Sequence, residues 1–152
     1  MEPFLGQLGF GLTLGLATVG SALGIGAAGR AAAGAWAKEA KAGKPLNFSY
    51  IILTGMPLSQ TIYAFVLMLI ALKALAYDPV KLAANAGALL GIGLATGLAE
   101  LVSAWMQGLI GAAACRALSE GEGKGLAFMI IAMGIVETVG LFGFVFMLMM
   151  MP

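Results

Sequence analysis

The stretch "IIAMGIVETVGLFGFVFMLMMM", residues 130–151, carries a single ionisable side chain, Glu137, within an otherwise almost wholly apolar run. An α-helix rises about 1.5 Å per residue, so about 20 apolar residues are enough to cross the hydrocarbon core of a bilayer. The stretch is therefore long enough to span a membrane. A carboxyl group inside such a span costs about 2.5–3.5 kcal/mol on insertion scales and usually marks an ion pathway or a binding site.

Three further apolar stretches precede this one, at about residues 4–35, 48–75 and 82–115, and the quoted stretch itself begins at about residue 126. Hydrophobic residues make up 61% of the 152-residue chain and charged residues only 10%, whereas soluble domains carry about 25% charged residues. The sequence predicts an all-α membrane protein with four transmembrane helices. Because Glu2 stands where a secretion signal carries positive charge, we expect the first stretch to be a helix of the mature protein.

Short polar segments join the predicted helices and leave no room for a soluble domain or an ATP site. They are "KEAKAGKPLN" (38–47), "AYDPVK" (76–81) and "SEGEGKG" (119–125). The basic residues near the first and third segments are Arg30, Lys38, Lys41, Lys44, Arg116 and Lys124, against Lys73 and Lys81 near the middle one. The positive-inside tendency predicts that loops 38–47 and 119–125 are cytoplasmic and that both termini are outside. The net charge of +1 gives no reason to expect nucleic acid as a partner.

The four apolar stretches form two related pairs. "GMPLSQTIYAFVLML" (55–69) aligns with "AMGIVETVGLFGFVF" (132–146) at a constant offset of 77 positions, which places Gln60 on Glu137. An internal duplication of a helical hairpin is the simplest interpretation. We therefore predict two tandem hairpins, residues 1–77 and 78–152, of which only the second carries a carboxylate in its second helix.

Small residues recur at every fourth position of two predicted helices and allow close approach of helix backbones. They are Gly20, Gly24, Ala28 and Ala32 in the first helix and Gly93 and Gly97 in the third. Packing within one chain would explain this spacing. Further glycines lie on other faces of the first helix, namely Gly11, Gly15, Gly26, Gly29 and Gly34. A helix that is slim on several sides favours a crowded inner ring built from many copies.

Polar side chains of three helices fall at one depth. Gln60 lies 12 residues after Phe48, Gln107 lies 12 before Ser119, and Glu137 lies 14 after Gly123, which places all three roughly 18–21 Å from the cytoplasmic ends. One face of the second helix presents Met56, Ser59, Gln60 and Tyr63, at positions i, i+3, i+4 and i+7. The spacing predicts a polar layer near the middle of the membrane.

Pro57 adds a backbone acceptor to this layer, because proline cannot donate to the carbonyl of Leu53 and its ring distorts the turn. Carbonyl oxygen near Met56 then becomes available. A carboxylate, two amide oxygens, a hydroxyl and this carbonyl supply the hard oxygen ligands that hard cations favour. Alkali-cation binding is the hypothesis that follows. The alternative is that Glu137 stays protonated and links Gln60 and Gln107 by hydrogen bonds as a purely structural element.

At these residues the chain resembles a known family. "MPLSQTIYAF" is similar to the Pro-x-Ser/Thr-Gln-x-x-Tyr pattern of the proteolipid ring subunit (c or K subunit) of rotary ATPases, and "MQG" in the third helix and "VET" in the fourth add to the likeness. The resemblance is strongest to the duplicated four-helix form of V-type sodium-transporting enzymes and covers essentially the whole chain. It implies a non-catalytic subunit of an ATP-driven ion pump.

The resemblance also implies roles for individual residues. Sodium would be coordinated by the Met56 carbonyl, the Ser59 hydroxyl and side-chain oxygens of Gln60, Gln107 and Glu137. Tyr63 would hydrogen-bond the Glu137 carboxylate, with Thr138 beside it as a weaker candidate. Identical copies would form a rotor ring in the lipid, turning against a stator membrane subunit and joined to a central-stalk subunit. A proton remains the alternative coupling ion, although a proton site needs little beyond the carboxylate.

Two other classes of protein are compatible with four helices and a membrane glutamate. Small multidrug transporters require aromatic residues around a cavity, but Trp36 lies toward a loop and Trp105 alone cannot form a cage. In a purely structural four-helix protein, the shared depth of the polar residues would be coincidence. Glu100, seven residues before Gln107 on nearly the same face, could be a supporting partner of the site, a lumen-facing charge or a group near the outer access route.

Overall fold

A computed structural model describes residues 2–152 and contains four long helices in that range. They are α1 (Glu2–Lys41), α2 (Ser49–Ala76), α3 (Pro79–Glu120) and α4 (Leu126–Met149). Each is long and apolar enough to cross a membrane. The predicted all-α membrane protein, with four spans arranged as two tandem hairpins, is confirmed.

The predicted loop boundaries are wrong at several points, because helices α1 and α3 continue past the apolar stretches. Helix α1 runs to Lys41 and α3 runs to Glu120. The hydropathy of a sequence indicates where the apolar part of a helix ends. The helix itself can continue beyond that point, because its backbone hydrogen bonds also form outside the hydrocarbon core. Asp78 sets the start of α3, since its carboxylate accepts from the amides of Val80 (3.0 Å) and Lys81 (3.1 Å). The middle connection is consequently much shorter than residues 76–81.

Helix α2 is irregular in two places. A 3₁₀ turn, Met56–Leu58, surrounds Pro57, as predicted from the missing amide and the bulk of the proline ring. A π turn, Met68–Leu72, follows near the C-terminal end of the helix. Such turns change the direction in which later side chains point. No pattern in the sequence predicted the π turn.

Glycines bring α1 and α3 into backbone contact. A Cβ added to Gly108 would overlap the backbone of Gly24, and one added to Gly93 would overlap the backbone of Gly9. The small residues at helical spacing therefore pack the two helices together within one chain. By contrast, an added Cβ on Gly15 would meet no other atom within 4 Å. One face of α1 thus remains open to a close neighbour.

Helix α4 lies at the periphery of the bundle, and only Met133 and Gly140 of this helix are buried. Large apolar side chains cover its outer face, namely Phe128, Ile131, Ile135, Val139, Phe142, Phe146 and Met149. Their spacing of three or four residues defines a single stripe. This stripe is suited to contact with lipid.

The two polar loops 42–48 and 121–125 lie at the same end of the bundle. Lys44 Nζ donates to Glu122 Oε1 at 2.8 Å, which joins the loops directly. The hydrogen bond and the attraction between the charges raise the pKa of Lys44 and lower the pKa of Glu122. Glu39 anchors the first loop by accepting from the Tyr50 hydroxyl at 2.6 Å and from the Asn47 amide at 2.9 Å.

Candidate ion-binding site

Polar side chains of α2, α3 and α4 meet inside the bundle. Gln60 and Gln107 are fully buried, and Glu137 is half-buried. Gln60 Nε2 donates to Gln107 Oε1 at 3.0 Å, and Gln107 Nε2 donates to Glu137 Oε2 at 3.1 Å. The common depth predicted for these three residues is therefore confirmed. A continuous chain of hydrogen bonds connects the two amides to the carboxylate.

Three oxygen atoms gather on α2 at the turn distorted by Pro57. The Ser59 hydroxyl oxygen lies 3.1 Å from the Met56 carbonyl oxygen and 3.1 Å from Gln60 Oε1. The 3₁₀ turn immediately before Ser59 brings the carbonyl and the hydroxyl to the same side of the helix. These atoms supply the carbonyl, the hydroxyl and one of the amide oxygens of the predicted ligand set.

Tyr63 of α2 bonds the other oxygen of the carboxylate. Its hydroxyl donates to Glu137 Oε1 at 2.8 Å, as the resemblance implied. Its ring stacks on Phe144 of α4, with centroids 6.2 Å apart and planes 24° apart. Each oxygen of the Glu137 carboxylate thus has a separate donor, Tyr63 for Oε1 and Gln107 for Oε2. Packing of the aromatic ring fixes the phenol in that position.

Thr138 lies outside this network. Its exposed hydroxyl donates to the carbonyl of Ile135, in the preceding turn of its own helix, at 2.6 Å. Adjacent residues of an α-helix point about 100° apart, so the neighbour of a buried carboxylate faces elsewhere. The supporting role suggested for Thr138 is not seen in the geometry.

Ser103 belongs to the network but was not among the predicted site residues. Its side chain is 2% exposed; its hydroxyl accepts from Gln60 Nε2 at 3.1 Å and donates to the Val136 carbonyl at 2.9 Å. A second carbonyl of α4, that of Met133, accepts from Gln107 Nε2 at 3.2 Å. Ser103 precedes Gln107 by one helical turn on the same face, and that spacing was the signal available in the sequence.

The cluster has the chemistry of a site for a singly charged cation. One carboxylate supplies one negative charge, and neutral oxygens of α2 and α3 lie beside it. Gln107 donates from Nε2 to the carboxylate, and a rotation of its amide group by about 180° would place Oε1 where Nε2 now lies. The same side chain can therefore donate to a carboxylate or coordinate a cation next to it.

Comparison with known proteins agrees with this arrangement. The family of ATP synthase C subunits matches residues 8–71 and 90–150. The chain belongs to this family. The first matched segment contains Gln60 and the second contains Gln107 and Glu137, so each segment contributes to the polar cluster. Two matched segments in one chain also agree with two tandem hairpins of the C-subunit type.

A curated relative matches over a longer range. The chain is 32% identical over 143 residues to a protein named A-type ATP synthase subunit K from Methanocaldococcus jannaschii. The match covers 91% of this member of the C-subunit family and 58% of the relative. The chain thus spans somewhat more than half the length of the curated relative that it matches.

Proposed function

We propose that the chain is an ion-carrying rotor-ring subunit of a rotary ATPase of the ATP synthase type, and that it binds sodium at Glu137. The observation that carries this proposal is the position of Glu137, a lone half-buried carboxylate on the peripheral helix, held by donors from two other helices. Membership of the C-subunit family supports the rotary assignment. ATP hydrolysis or synthesis takes place elsewhere in the proposed complex.

Sodium is favoured over a proton by the donors around the carboxylate. Tyr63 and Gln107 donate to its two oxygens, so each oxygen of the carboxyl group already accepts a hydrogen bond. A negatively charged carboxylate in a membrane span requires a cation. The Met56 carbonyl, the Ser59 hydroxyl and the Gln60 amide supply further oxygens, which a proton does not need.

Rotation past a stator is compatible with the placement of α4. This helix is the least buried of the four, so Glu137 lies near the outer surface, where a stator membrane subunit would make contact. A bare carboxylate is costly in lipid, by about 2.5–3.5 kcal/mol on insertion scales. A cation-filled site is neutral and crosses lipid at a lower cost. The ring would then turn freely only when its sites are filled, as in the V-type sodium-transporting class.

The same proposal assigns an orientation and a repeat structure to the chain. Loops 38–47 and 119–125, joined by Lys44 and Glu122, would face the cytoplasm and contact a central-stalk subunit, with both termini outside. The two hairpins would correspond to residues 1–77 and 78–152. Helix α1, with its open glycine face, would line the interior of the ring.

Lipid is a further proposed partner, at the loop end of the bundle. Arg30, Lys38 and Arg116 line a pocket of about 460 Å³ between α1 and α3. Glu120 also lines the pocket, so three cationic side chains face one carboxylate, and this excess of positive charge suits a lipid phosphate. Long basic side chains reach such groups from within a helix by extending along the membrane normal.

Assembly tests the rotor proposal. In mild detergent the protein is expected to form a ring of many times its 15.4 kDa chain mass, measured by native mass spectrometry. Gly15→Leu should weaken this ring without reducing the helical content of the chain, because the added side chain enters only the open face of α1. A larger side chain on the exposed face of α4, Ile131→Phe, should leave the ring intact, since Ile131 is 58% exposed.

A stable monomer or dimer of the wild-type chain under the same conditions would contradict the rotor assignment. Equal effects of the two substitutions would show that the open face of α1 is not an interface between copies.

A further inference from the structure

Glu100 of α3 is buried without a hydrogen-bond partner among the described residues. Its side chain is fully inaccessible, and neither carboxylate oxygen accepts a hydrogen bond in that part of the chain. The hydroxyl of Thr96, one turn away on the same face, is buried and unpartnered in the same way. Unsatisfied groups of this kind are rare in native proteins and call for a bound species or a functional explanation.

Glu100 belongs to a continuous polar stripe on α3 that ends at the proposed ion site. The buried members of the stripe are Thr96, Glu100, Ser103 and Gln107. Their spacing of four, three and four residues places them on one face of the helix. Ser103 and Gln107 bond to α2 and α4, whereas Glu100 and Thr96 make no such bond within residues 2–152. The outer half of the stripe is therefore not used by the site at Glu137.

Helix α4 makes room for this carboxyl group at Gly140, one turn beyond Glu137. A Cβ built on Gly140 would lie 2.5 Å from Glu100 Oε2 and 3.0 Å from the Ser103 hydroxyl oxygen. Any larger residue would displace the carboxyl group, because 2.5 Å is too short for a contact between carbon and oxygen. The Glu100 carboxyl group thus packs directly against the backbone of Gly140, where no side chain intervenes.

The described helices packed around Glu100 offer it no basic partner. Helix α1 has no titratable side chain between residues 3 and 29, and α4 has only Glu137. Helix α2 offers Tyr63, whose hydroxyl is already donated to Glu137, and Lys73, whose Nζ lies 6.0 Å from the centre of the Tyr77 ring. Lys73 is ten residues beyond Tyr63, or roughly 15 Å further along the helix. These helices therefore supply no ion pair that would neutralise Glu100.

We propose that Glu100 is a second cation-binding carboxyl group of this chain, distinct from Glu137, and that the cation it holds is a proton. A hard metal cation needs several oxygen ligands, and no oxygen of the described chain shares a hydrogen bond with this carboxyl group. A proton needs no cage and neutralises one carboxylate. The Thr96 hydroxyl, itself unpartnered among the described residues, carries no charge with which to balance an ionised carboxyl group.

The two carboxyl groups would then differ in whether they exchange their cation during rotation. Glu137 is half-buried on the outer helix and can exchange its ion with a stator, whereas Glu100 is shielded from both lipid and stator. The proton on Glu100 would stay with the subunit through each turn. It would also prevent a second negative charge from forming close to the exchanging site. The inference about Glu100 stands whether Glu137 carries sodium or a proton.

Infrared spectroscopy tests the proposal on the purified full-length protein at neutral pH in saturating sodium chloride. A protonated carboxyl group gives a carbonyl stretch that is separate from carboxylate bands and shifts in heavy water. We expect this band in the wild type, its loss in Glu100→Gln, and its retention in Glu137→Gln. Glu122→Gln, which alters an exposed loop carboxylate, serves as the matched control and should retain the band. A spectrum of Glu100→Gln that still shows the full band would overturn the proposal.

Sodium content separates this proposal from the one for Glu137. Bound sodium per chain should be equal in the wild type and in Glu100→Gln. A loss of one sodium ion per chain in Glu100→Gln would overturn the proton assignment, because Glu100 would then be a sodium ligand. If neither protein binds sodium but the Glu100-dependent band is present, the sodium assignment at Glu137 fails and the inference about Glu100 holds.

Discussion

Dicyclohexylcarbodiimide is expected to modify Glu137 in strong preference to Glu100, and sodium is expected to protect Glu137. Carbodiimides react with protonated carboxyl groups in apolar surroundings. In our proposal a proton replaces sodium on Glu137 when sodium is absent, because an uncompensated carboxylate is costly in the membrane. Glu100 also holds a proton in our proposal, but it is fully buried, whereas Glu137 is accessible from the outer face of α4.

Ion and pH dependence make this labelling experiment specific. Sodium and the proton compete for the same carboxylate, so sodium should slow the reaction more strongly as the pH rises and protons become scarcer. Potassium at the same ionic strength controls for screening and should protect less. Peptide mapping by mass spectrometry locates the label. A label that falls on Glu100 and not on Glu137, or equal protection of Glu137 by sodium and potassium, would show that Glu137 is not the sodium ligand.

Replacing Gln107 with leucine is expected to weaken sodium binding by about 10-fold or more, since a hydrogen bond to a charged group is worth about 1.5–3 kcal/mol and an oxygen ligand in the same surroundings is worth at least as much. The change removes the amide that bonds both Gln60 and Glu137. Gln60→Leu should have an effect of similar size, because Gln60 Oε1 belongs to the oxygen cluster on α2. Sodium affinity can be measured from the concentration that protects against the carbodiimide.

The matched control for these two variants is Gln7→Leu, the same substitution at an exposed position of α1. It should leave sodium affinity unchanged. Proton-coupled turnover requires only the carboxylate, so a proton site would tolerate both amide substitutions. Wild-type sodium affinity in both Gln60→Leu and Gln107→Leu would therefore exclude the proposed ligand set and favour proton coupling.

The common depth of the candidate site residues was predictable from the sequence, because the rise per residue of an α-helix is constant and residue spacing therefore gives distance along the helix. Gln60, Gln107 and Glu137 were expected in one layer from their separation from the loops, and they are joined by hydrogen bonds of 3.0 and 3.1 Å. Pro57 was likewise predictable as a distortion, since proline cannot take part in the regular backbone pattern. Both predictions depend only on properties of a single helix.

Several details were not predictable, because they depend on how each helix is rotated about its own axis. Thr138 is adjacent to Glu137, yet its hydroxyl bonds a backbone carbonyl of its own helix. Ser103 joins the polar network, but serine is common in packed helices and its residue type alone did not indicate this role. The π turn, Met68–Leu72, has no recognisable sequence signal. The helix ends at Lys41 and Glu120 lie beyond the apolar stretches, since hydropathy does not report backbone hydrogen bonding.

The sequence by itself determined that the chain has four apolar spans, that its two hairpins are related, and that Glu137 shares one depth with the amides of Gln60 and Gln107. These properties follow from the length of apolar runs and from residue spacing along one helix. Only the tertiary structure decided that Ser103 joins the polar network and that Glu100 is buried without a partner among the described residues. Those outcomes depend on how α2, α3 and α4 pack together, including the close approach of Gly140 to Glu100, which brings together residues far apart in the chain.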